Sequence, residues 1–159
     1  MRNPDSDDAK SLLNLFAGSG SRVIIVKIDA TSDTGALEAI KFAERQGITS
    51  LDIVIANAGI YDTTAFAPVA ELKISQLQEH LNVNTVGPVR LFQATRPLLT
   101  KSANARYVLM SSLVGTIEGI KDIPLPVGGY GASKAAANYL VRKAHFENDN
   151  IATLAIHPG

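Results

Sequence analysis

Tyr130 and Lys134 have the types and the spacing that proton transfer needs. They stand at the start of an Ala-rich stretch that favours a helix. On a helix, residues i and i+4 share one face, about 5–6 Å apart at Cβ. A phenol ordinarily loses its proton near pH ~10, and a nearby positive charge favours the phenolate. The pair therefore predicts a proton donor tuned toward neutral pH; the alternative is a partly buried tyrosine beside a solvated lysine.

The composition is that of one soluble globular domain with a sizeable core. The chain has 159 residues, of which 46% are hydrophobic and 19% charged, and its formal net charge is +0. We expect no nucleic-acid partner and no membrane association, because there is no charged tail and no apolar run near the ~20 residues of a membrane span. Cysteine is absent and the three histidines lack ligand spacing, so neither a disulfide nor a metal site is expected. The start of the chain lacks the apolar core of a signal peptide, which predicts a cytoplasmic protein.

Strand and helix patterns alternate along the chain. Continuous apolar, β-branched runs predict buried strands of a parallel sheet at residues 23–28, 51–56, 106–110 and 151–156. Periodic segments predict helices over residues 6–18, 31–47, about 71 to 97, and from Tyr130 onward. The first helix depends on an apolar stripe formed by Leu12, Leu13 and Phe16. Alternation of this kind predicts a single α/β domain over residues 1–159 with right-handed crossovers.

Polar residues follow the predicted strands at the edge where ligands bind in parallel α/β sheets. This set comprises Asp29, Asn57-Ala58-Gly59, Ser111-Ser112 and Pro158-Gly159. Each has an ordinary alternative as a turn or capping residue. Asn84 is harder to explain, because asparagine inside a helix competes with helical hydrogen bonding.

In this order and on these elements, the residues resemble the motifs of the short-chain dehydrogenase/reductase family. The resemblance covers essentially the whole chain and lies in Asp29, Asn57-Ala58-Gly59, Asn84, Ser112, Tyr130-x-x-x-Lys134 and Pro158-Gly159. Within the family, residues 111–115 and 130–143 are most similar to fungal ketoreductases of the norsolorinic acid type.

The resemblance implies a three-layer, doubly wound, Rossmann-like sheet and an NAD(P)H-dependent enzyme. Such an enzyme reduces a small ketone or aldehyde to an alcohol, or catalyses the reverse reaction. Tyr130 would donate the proton, Lys134 would favour the phenolate and bind the nicotinamide ribose, and Ser112 would hold the substrate oxygen. Asn84 would anchor a water that relays protons to Lys134.

The resemblance also implies a cofactor site and an assembly. Asp29 would lie near the adenine, Asn57, Ala58 and Gly59 beside the adenosine ribose, and Pro158 and Gly159 by the nicotinamide. We expect NADP, with NAD as the alternative, because Arg2 matches a position where a basic side chain favours the 2′-phosphate. Family members often form homodimers or homotetramers through two long helices, and we expect the same here.

One part of the family pattern is missing. The family's first strand and the glycine-rich turn that binds the pyrophosphate have no match, and neither has its last strand. The chain is therefore interpreted as truncated at both ends, with an incomplete sheet. Either the sheet carries a gap, or the strand at residues 23–28 pairs beside residues 51–56. Three hypotheses follow: a piece of an NADP-dependent ketoreductase, a non-catalytic module that associates through its long helices, or an unstable product.

Overall fold

The computed structural model describes residues 1–15 and 18–159 of the chain. Within these residues the sheet has three parallel strands in the order β1-β2-β3. They are β1 (Ile53–Ala56), β2 (Arg106–Met110) and β3 (Ala152–Ile156). The α-helices are α1 (Asp7–Ser11), α2 (Gly35–Arg45), α3 (Ile74–Leu81), α4 (Gly87–Leu99) and α5 (Gly128–Phe146). A parallel sheet whose strands are joined through helices confirms the predicted α/β class.

One face of the sheet is covered by α4 and α5. Alternate strand residues point to this face, so Val54 and Ala56 of β1 are buried while Ile53 and Ile55 are exposed. Tyr107 and Leu109 of β2 occupy the same layer between the two helices. The core cluster consists of Val54, Ala56, Leu99, Ala105, Tyr107, Leu109, Ala137, Val141 and Ile151.

The opposite face of the sheet keeps large apolar side chains in contact with solvent. Ile55, Val108 and Leu154 stand in register on neighbouring strands. Val108 on the central strand is buried, whereas Ile55 and Leu154 on the flanking strands are 57% and 51% exposed. Of the three layers that the sequence predicts, the described residues therefore form a three-stranded sheet and a helical layer on one of its faces.

The predicted strand at residues 23–28 is wrong: this segment forms no strand. Its backbone pairs with Met1, whose amino group donates to the Val26 carbonyl at 2.9 Å and whose carbonyl accepts from the Ile28 N–H at 2.9 Å. A strand needs a ladder of such bonds with a neighbour, and among the described residues β1 is an edge strand whose only ladder is with β2. The alternative in which residues 23–28 pair beside β1 is therefore also wrong.

The first helix is shorter than predicted. It comprises α1 and a 3₁₀ turn, Leu12–Asn14, while Phe16 of the proposed apolar stripe lies outside the described residues. Leu13 is 56% exposed, so it provides little burial to extend the helix. In the described part of the chain, no helix combines the length and apolar character needed to cross a membrane.

The long helix predicted from about residue 71 to Pro97 is interrupted. It begins as α3, widens into a π-helical segment over Asn82–Val86, and continues as α4 to Leu99. π-Helical turns are rare and occur frequently at functional sites. This interruption places Asn84 at the centre of the widened turn.

Candidate active site

Tyr130 and Lys134 lie one turn apart on α5, as predicted. The Nζ of Lys134 is 5.6 Å from the centroid of the Tyr130 ring. It donates a hydrogen bond of 2.7 Å to the carbonyl oxygen of Met110, the last residue of β2. Lys134 is only 6% exposed, and burial lowers the pKa of its ammonium group. The sheet edge and α5 thus hold a nearly buried amine beside a phenol.

Asn84 is completely buried and connects three parts of the chain. Its Oδ1 accepts from the Ile60 N–H at 2.8 Å, and its Nδ2 donates to the Ile60 carbonyl at 2.9 Å. The same Nδ2 donates to Ser133 Oγ at 3.0 Å. These bonds explain an asparagine inside a helix, because its side chain serves as a buried connector between the loop after β1 and α5.

Ser133 completes this connection and was missed in the sequence. It is fully buried, and its Oγ donates to the Tyr130 carbonyl at 2.7 Å while accepting from Asn84. Thr85 Oγ1 also donates to the Ser133 carbonyl at 2.7 Å. The available signal was its position three residues after Tyr130 on a helix, where a serine hydroxyl can bond back to the preceding turn.

The Asn57-Ala58-Gly59 turn follows β1 directly and is exposed. A Cβ added at Gly59 would lie 3.1 Å from Asn84 Oδ1 and 3.6 Å from Lys134 Nζ. The turn backbone therefore passes closely over the buried amide, which a larger residue would crowd, and lies in ordinary contact distance of the amine. The structure brings this turn, Asn84, Tyr130 and Lys134 together.

Ser112 follows β2 and begins the short 3₁₀ turn Leu113–Gly115. Its side chain makes no capping hydrogen bond to that turn. The turn packs tightly on α5, since a Cβ at Gly115 would lie 2.9 Å from the Lys134 Cβ, and one at Gly131 would lie 2.8 Å from the Val114 carbonyl. These contacts pack the segment that begins at Ser112 against the turn of α5 that carries Tyr130 and Lys134. The Ser112 hydroxyl is not used as a helix cap.

Aromatic side chains surround Tyr130, and the sequence did not single them out. The Tyr61 ring meets the Tyr130 ring edge-to-face with a centroid distance of 4.7 Å, and Phe66 meets Tyr61 at 5.0 Å. The buried His80 ring lies 6.2 Å from Tyr130, and its Nδ1 donates to the backbone carbonyl of Gln76 at 2.8 Å. Their separation in sequence from Tyr130 left no local pattern from which to find them.

Asp29 lies apart from this cluster. Its Oδ1 accepts from the backbone and the hydroxyl of Thr31, at 2.9 and 2.7 Å, and these bonds hold the pKa of the carboxyl below its usual value. The positive charge of Arg2 lies close enough to lower that pKa further. The next residue, Ala30, is anchored to α4 because its carbonyl accepts from Arg90 Nη1 at 3.0 Å.

Pro158 and Gly159 follow β3 and are exposed. They stand beyond the carboxyl end of their strand, as predicted. Among the hydrogen bonds of the described residues, none joins Asp29, Pro158 or Gly159 to the Tyr130–Lys134 cluster.

A model of the family described as short chain dehydrogenase matches residues 3–159. The chain belongs to the short-chain dehydrogenase family. The sequence resemblance is therefore confirmed.

Two curated relatives of the chain come from fungi. The chain is 42% identical over 152 residues to the norsolorinic acid ketoreductase of Aspergillus parasiticus, an alignment that covers 94% of this chain and 55% of that protein. It is 38% identical over 158 residues to the short chain dehydrogenase gsfK of Penicillium aethiopicum, covering 98% and 62%. The chain thus spans 55% to 62% of the length of these two curated relatives.

Solved structures of carbonyl reductases have a similar fold. The carbonyl reductase Sniffer of D. melanogaster superimposes with a TM-score of 0.85 at 28% identity, over 100% of this chain and 67% of that one. An NADPH-bound carbonyl reductase from chicken fatty liver gives a TM-score of 0.83 at 28% identity, over 99% and 66%. These similarities confirm the Rossmann-like fold class, here in incomplete form.

Proposed function

We propose that this chain carries the residues that transfer the proton in a nicotinamide-dependent carbonyl reductase. The reaction is reduction of a ketone or aldehyde to an alcohol, or its reverse. The observation that supports this most directly is the placement of Lys134 Nζ, nearly buried, 5.6 Å from the Tyr130 ring centroid and under the Gly59 turn. A buried amine beside a partly exposed phenol is suited to proton donation at a carbonyl oxygen.

In this proposal Tyr130 transfers its hydroxyl proton to the carbonyl oxygen as hydride reaches the carbonyl carbon. Ser112 orients that oxygen, and its hydroxyl is available because it makes no cap bond. The Lys134 ammonium, 5.6 Å from the Tyr130 ring centroid, would stabilise the negative charge that develops on the phenol oxygen as the proton leaves. Asn84 fixes the position of the loop after β1 relative to α5 by its hydrogen bonds to Ile60 and Ser133. One lone pair of its Oδ1 is left for a water that relays protons to Lys134.

A nicotinamide cofactor would supply the hydride when bound. The residues fit such a cofactor, because the Lys134 amine is nearly buried and the turn after β1 approaches it at Gly59, which carries no side chain to cover it. Tyr130, Lys134, Pro158 and Gly159 would hold the nicotinamide side, with Asn57, Ala58 and Gly59 beside the adenosine ribose. Asp29 would lie near the adenine.

We propose NADP rather than NAD. The proximity of Arg2 to Asp29 supports this choice, because a guanidinium at the adenosine end of the site binds a 2′-phosphate. A relative of known structure carries NADPH, as its name states. We propose a small carbonyl or alcohol substrate and a cytoplasmic location, with no nucleic-acid or membrane partner.

A second candidate is a non-catalytic module that acts through association. The exposed Ile53, Ile55, Leu154 and Ile156 on the uncovered sheet face favour it, since contiguous exposed apolar surface marks interaction sites. A groove of about 510 Å³ between α4 and α5 would serve a homodimer or homotetramer. Light scattering of the purified chain separates a monomer from these assemblies.

The test of the proposed reaction compares Tyr130→Phe with Tyr139→Phe. Both tyrosines lie on α5, but Tyr139 is 70% exposed and makes no contact with Lys134 in the described cluster. Turnover is followed as NADPH oxidation with acetophenone, and NADPH binding by nicotinamide fluorescence. We expect Tyr130→Phe to lower turnover about 10²- to 10⁴-fold with nearly unchanged NADPH affinity, because a general acid is lost.

Tyr139→Phe should behave like the parent chain in both assays. Equal turnover in Tyr130→Phe and the parent chain would refute the assignment of Tyr130 as the proton donor. A chain that neither binds nor oxidises NADPH would refute the reductase proposal for this chain and leave the association module.

A further inference from the structure

A ladder of hydrogen bonds joins the loop after β1 to one face of α3 and the π-helical segment that follows it. The helix supplies a side chain at every fourth position, and the loop supplies backbone groups at every second position. The pairs are Gln76 with Thr64, His80 with Asp62, and Asn84 with Ile60. Positions four apart lie on the same face of a helix, so one stripe of side chains fixes the course of residues 60–64.

His80, in the middle of this stripe, is 1% exposed. Its Nδ1 lies 2.8 Å from the Gln76 carbonyl oxygen, and its Nε2 lies 3.4 Å from the Asp62 nitrogen. A carbonyl oxygen only accepts a hydrogen bond, so Nδ1 carries a proton, and a backbone N–H only donates, so Nε2 carries none. Together the two contacts require a neutral imidazole in the Nδ1–H tautomer.

The same imidazole borders the proposed proton donor. Its centroid lies 6.2 Å from that of the Tyr130 ring, at an interplanar angle of 77°. A Cβ added at Gly129 would lie 3.8 Å from His80 Nδ1, so the first turn of α5 passes beside the imidazole. Tyr61, next to Asp62 in the loop, meets the Tyr130 ring edge-to-face at 4.7 Å. The Tyr130 ring is therefore bordered both by His80 and by the loop that His80 holds.

We propose that His80 is a positioning residue for Tyr130 and that it acts as a neutral imidazole with its proton on Nδ1. This inference rests on the proposed function, because Tyr130 is the group whose placement it serves. The imidazole packs beside the Tyr130 ring, while its Nε2 fixes the Asp62 backbone and, through it, the Tyr61 ring against Tyr130. A proton on Nε2 would set two donors against each other, and the Asp62 N–H would lose its partner.

The Asp62 carboxylate and the Tyr130 phenol are the titratable groups that face His80 from the loop and from α5. A carboxylate attracts a charged imidazole, which is the alternative state of His80. The Asp62 oxygens are used within their own turn, however, since Oδ1 accepts from the N–H and the hydroxyl of Thr64 at 2.9 and 2.7 Å. The ion pairs of the described residues do not include His80 with Asp62.

The first experiment determines the tautomer in the intact parent chain at neutral pH. Long-range ¹H–¹⁵N NMR separates protonated from unprotonated ring nitrogens, and the signals that disappear in His80→Gln belong to His80. We expect a protonated Nδ1 and an unprotonated Nε2. The exposed His145 and His157 provide reference signals for imidazoles in contact with solvent.

The second experiment tests whether the unprotonated acceptor positions the rings. His80→Gln keeps a neutral acceptor that can reach the Asp62 N–H, whereas His80→Leu keeps only an apolar side chain. His145→Leu, at an exposed histidine in the last turn of α5, is the matched control. Amide exchange at Asp62 and the nuclear Overhauser effect between the rings of Tyr61 and Tyr130 are measured in each variant.

We expect Asp62 exchange to be about 10-fold faster in His80→Leu, as for the loss of one hydrogen bond, and the effect between the two rings to weaken. His80→Gln and His145→Leu should behave like the parent chain. The Ile60 amide, which Asn84 holds, should keep its protection in every variant, and this separates the loss of one bond from general unfolding.

A protonated Nε2 in the parent chain would overturn the inference. So would unchanged Asp62 exchange in His80→Leu, an equal loss of protection at Ile60, or a His80→Gln variant that behaves like His80→Leu. The tautomer is measured without a variant, so it decides the inference even where His80→Leu does not fold. The proposed reaction is judged separately by the turnover of Tyr130→Phe, so either can fail without the other.

Discussion

The chain from β1 onward and the segment from Met1 to Ala30 are held together by different kinds of contact. In the first region, buried side chains of Asn84 and Ser133 join separate elements by hydrogen bonds. In the second, residues 23–28 are joined to Met1 by two backbone bonds. The hydrogen bonds that join the elements carrying the proposed proton-transfer groups therefore come from buried side chains, whereas the N-terminal segment meets this region through Ala30, whose carbonyl accepts from Arg90 of α4.

The largest difference between the two regions should appear when an asparagine is removed from each. Asn84→Ala leaves the Ile60 backbone and Ser133 without their partner in a buried place, and we expect a loss of roughly 3 kcal/mol in the free energy of unfolding. Asn3 is exposed and its side chain accepts one hydrogen bond, from the Asp5 N–H, so Asn3→Ala should cost about 0.5 kcal/mol or less. Urea unfolding followed by circular dichroism measures both.

Comparable losses for the two asparagine variants would remove the distinction between the regions. A larger loss for Asn3→Ala would reverse it.

A smaller effect should appear in the pH dependence of stability. Burial lowers the pKa of Lys134 from its ordinary value of 10.5, so the folded chain binds this proton less tightly than the unfolded chain. Protonation then favours unfolding, and the penalty is fully present below the lowered pKa. Relative to Lys134→Met, the stability of the parent chain should therefore rise as the pH increases from that value toward 10.5.

The size of this rise is about 1.4 kcal/mol for each tenfold difference in proton affinity between the two states. Urea unfolding of the parent chain and Lys134→Met at a series of alkaline pH values measures it. If the free energies of unfolding of the parent chain and Lys134→Met changed in parallel with pH, Lys134 would not be desolvated. The description of a buried amine in the site would then be wrong.

Much of the fold was predictable because its signals are local. The residues of β2 follow directly from the apolar run 106–110, and α5 follows from strong helix formers after a Gly-rich loop. The strand predicted at residues 23–28 failed because an apolar, β-branched run favours a strand only where a neighbouring strand completes the ladder. Whether a neighbouring strand is present depends on the tertiary structure and cannot be read from the local sequence.

The candidate site was predictable to a similar extent. The spacing of Tyr130 and Lys134 placed them on one face, and the rarity of asparagine within helices indicated a role for Asn84. Ser133 and Tyr61 were missed, since their importance lies in contacts with residues distant in sequence: Asn84 is 49 positions from Ser133. Periodicity cannot identify such pairs.

The most direct test compares two backbone amides that each donate one hydrogen bond outside regular secondary structure. The Ile60 N–H donates to buried Asn84 Oδ1 at 2.8 Å, and the Ile28 N–H donates to the Met1 carbonyl at 2.9 Å. Amide hydrogen exchange measured by NMR on the intact chain should show Ile60 protected orders of magnitude more strongly than Ile28, because opening at Ile60 requires breaking the buried network. Equal protection of the two amides, or stronger protection of Ile28, would contradict the account of a proton-transfer site held in place by the buried hydrogen bonds of Asn84.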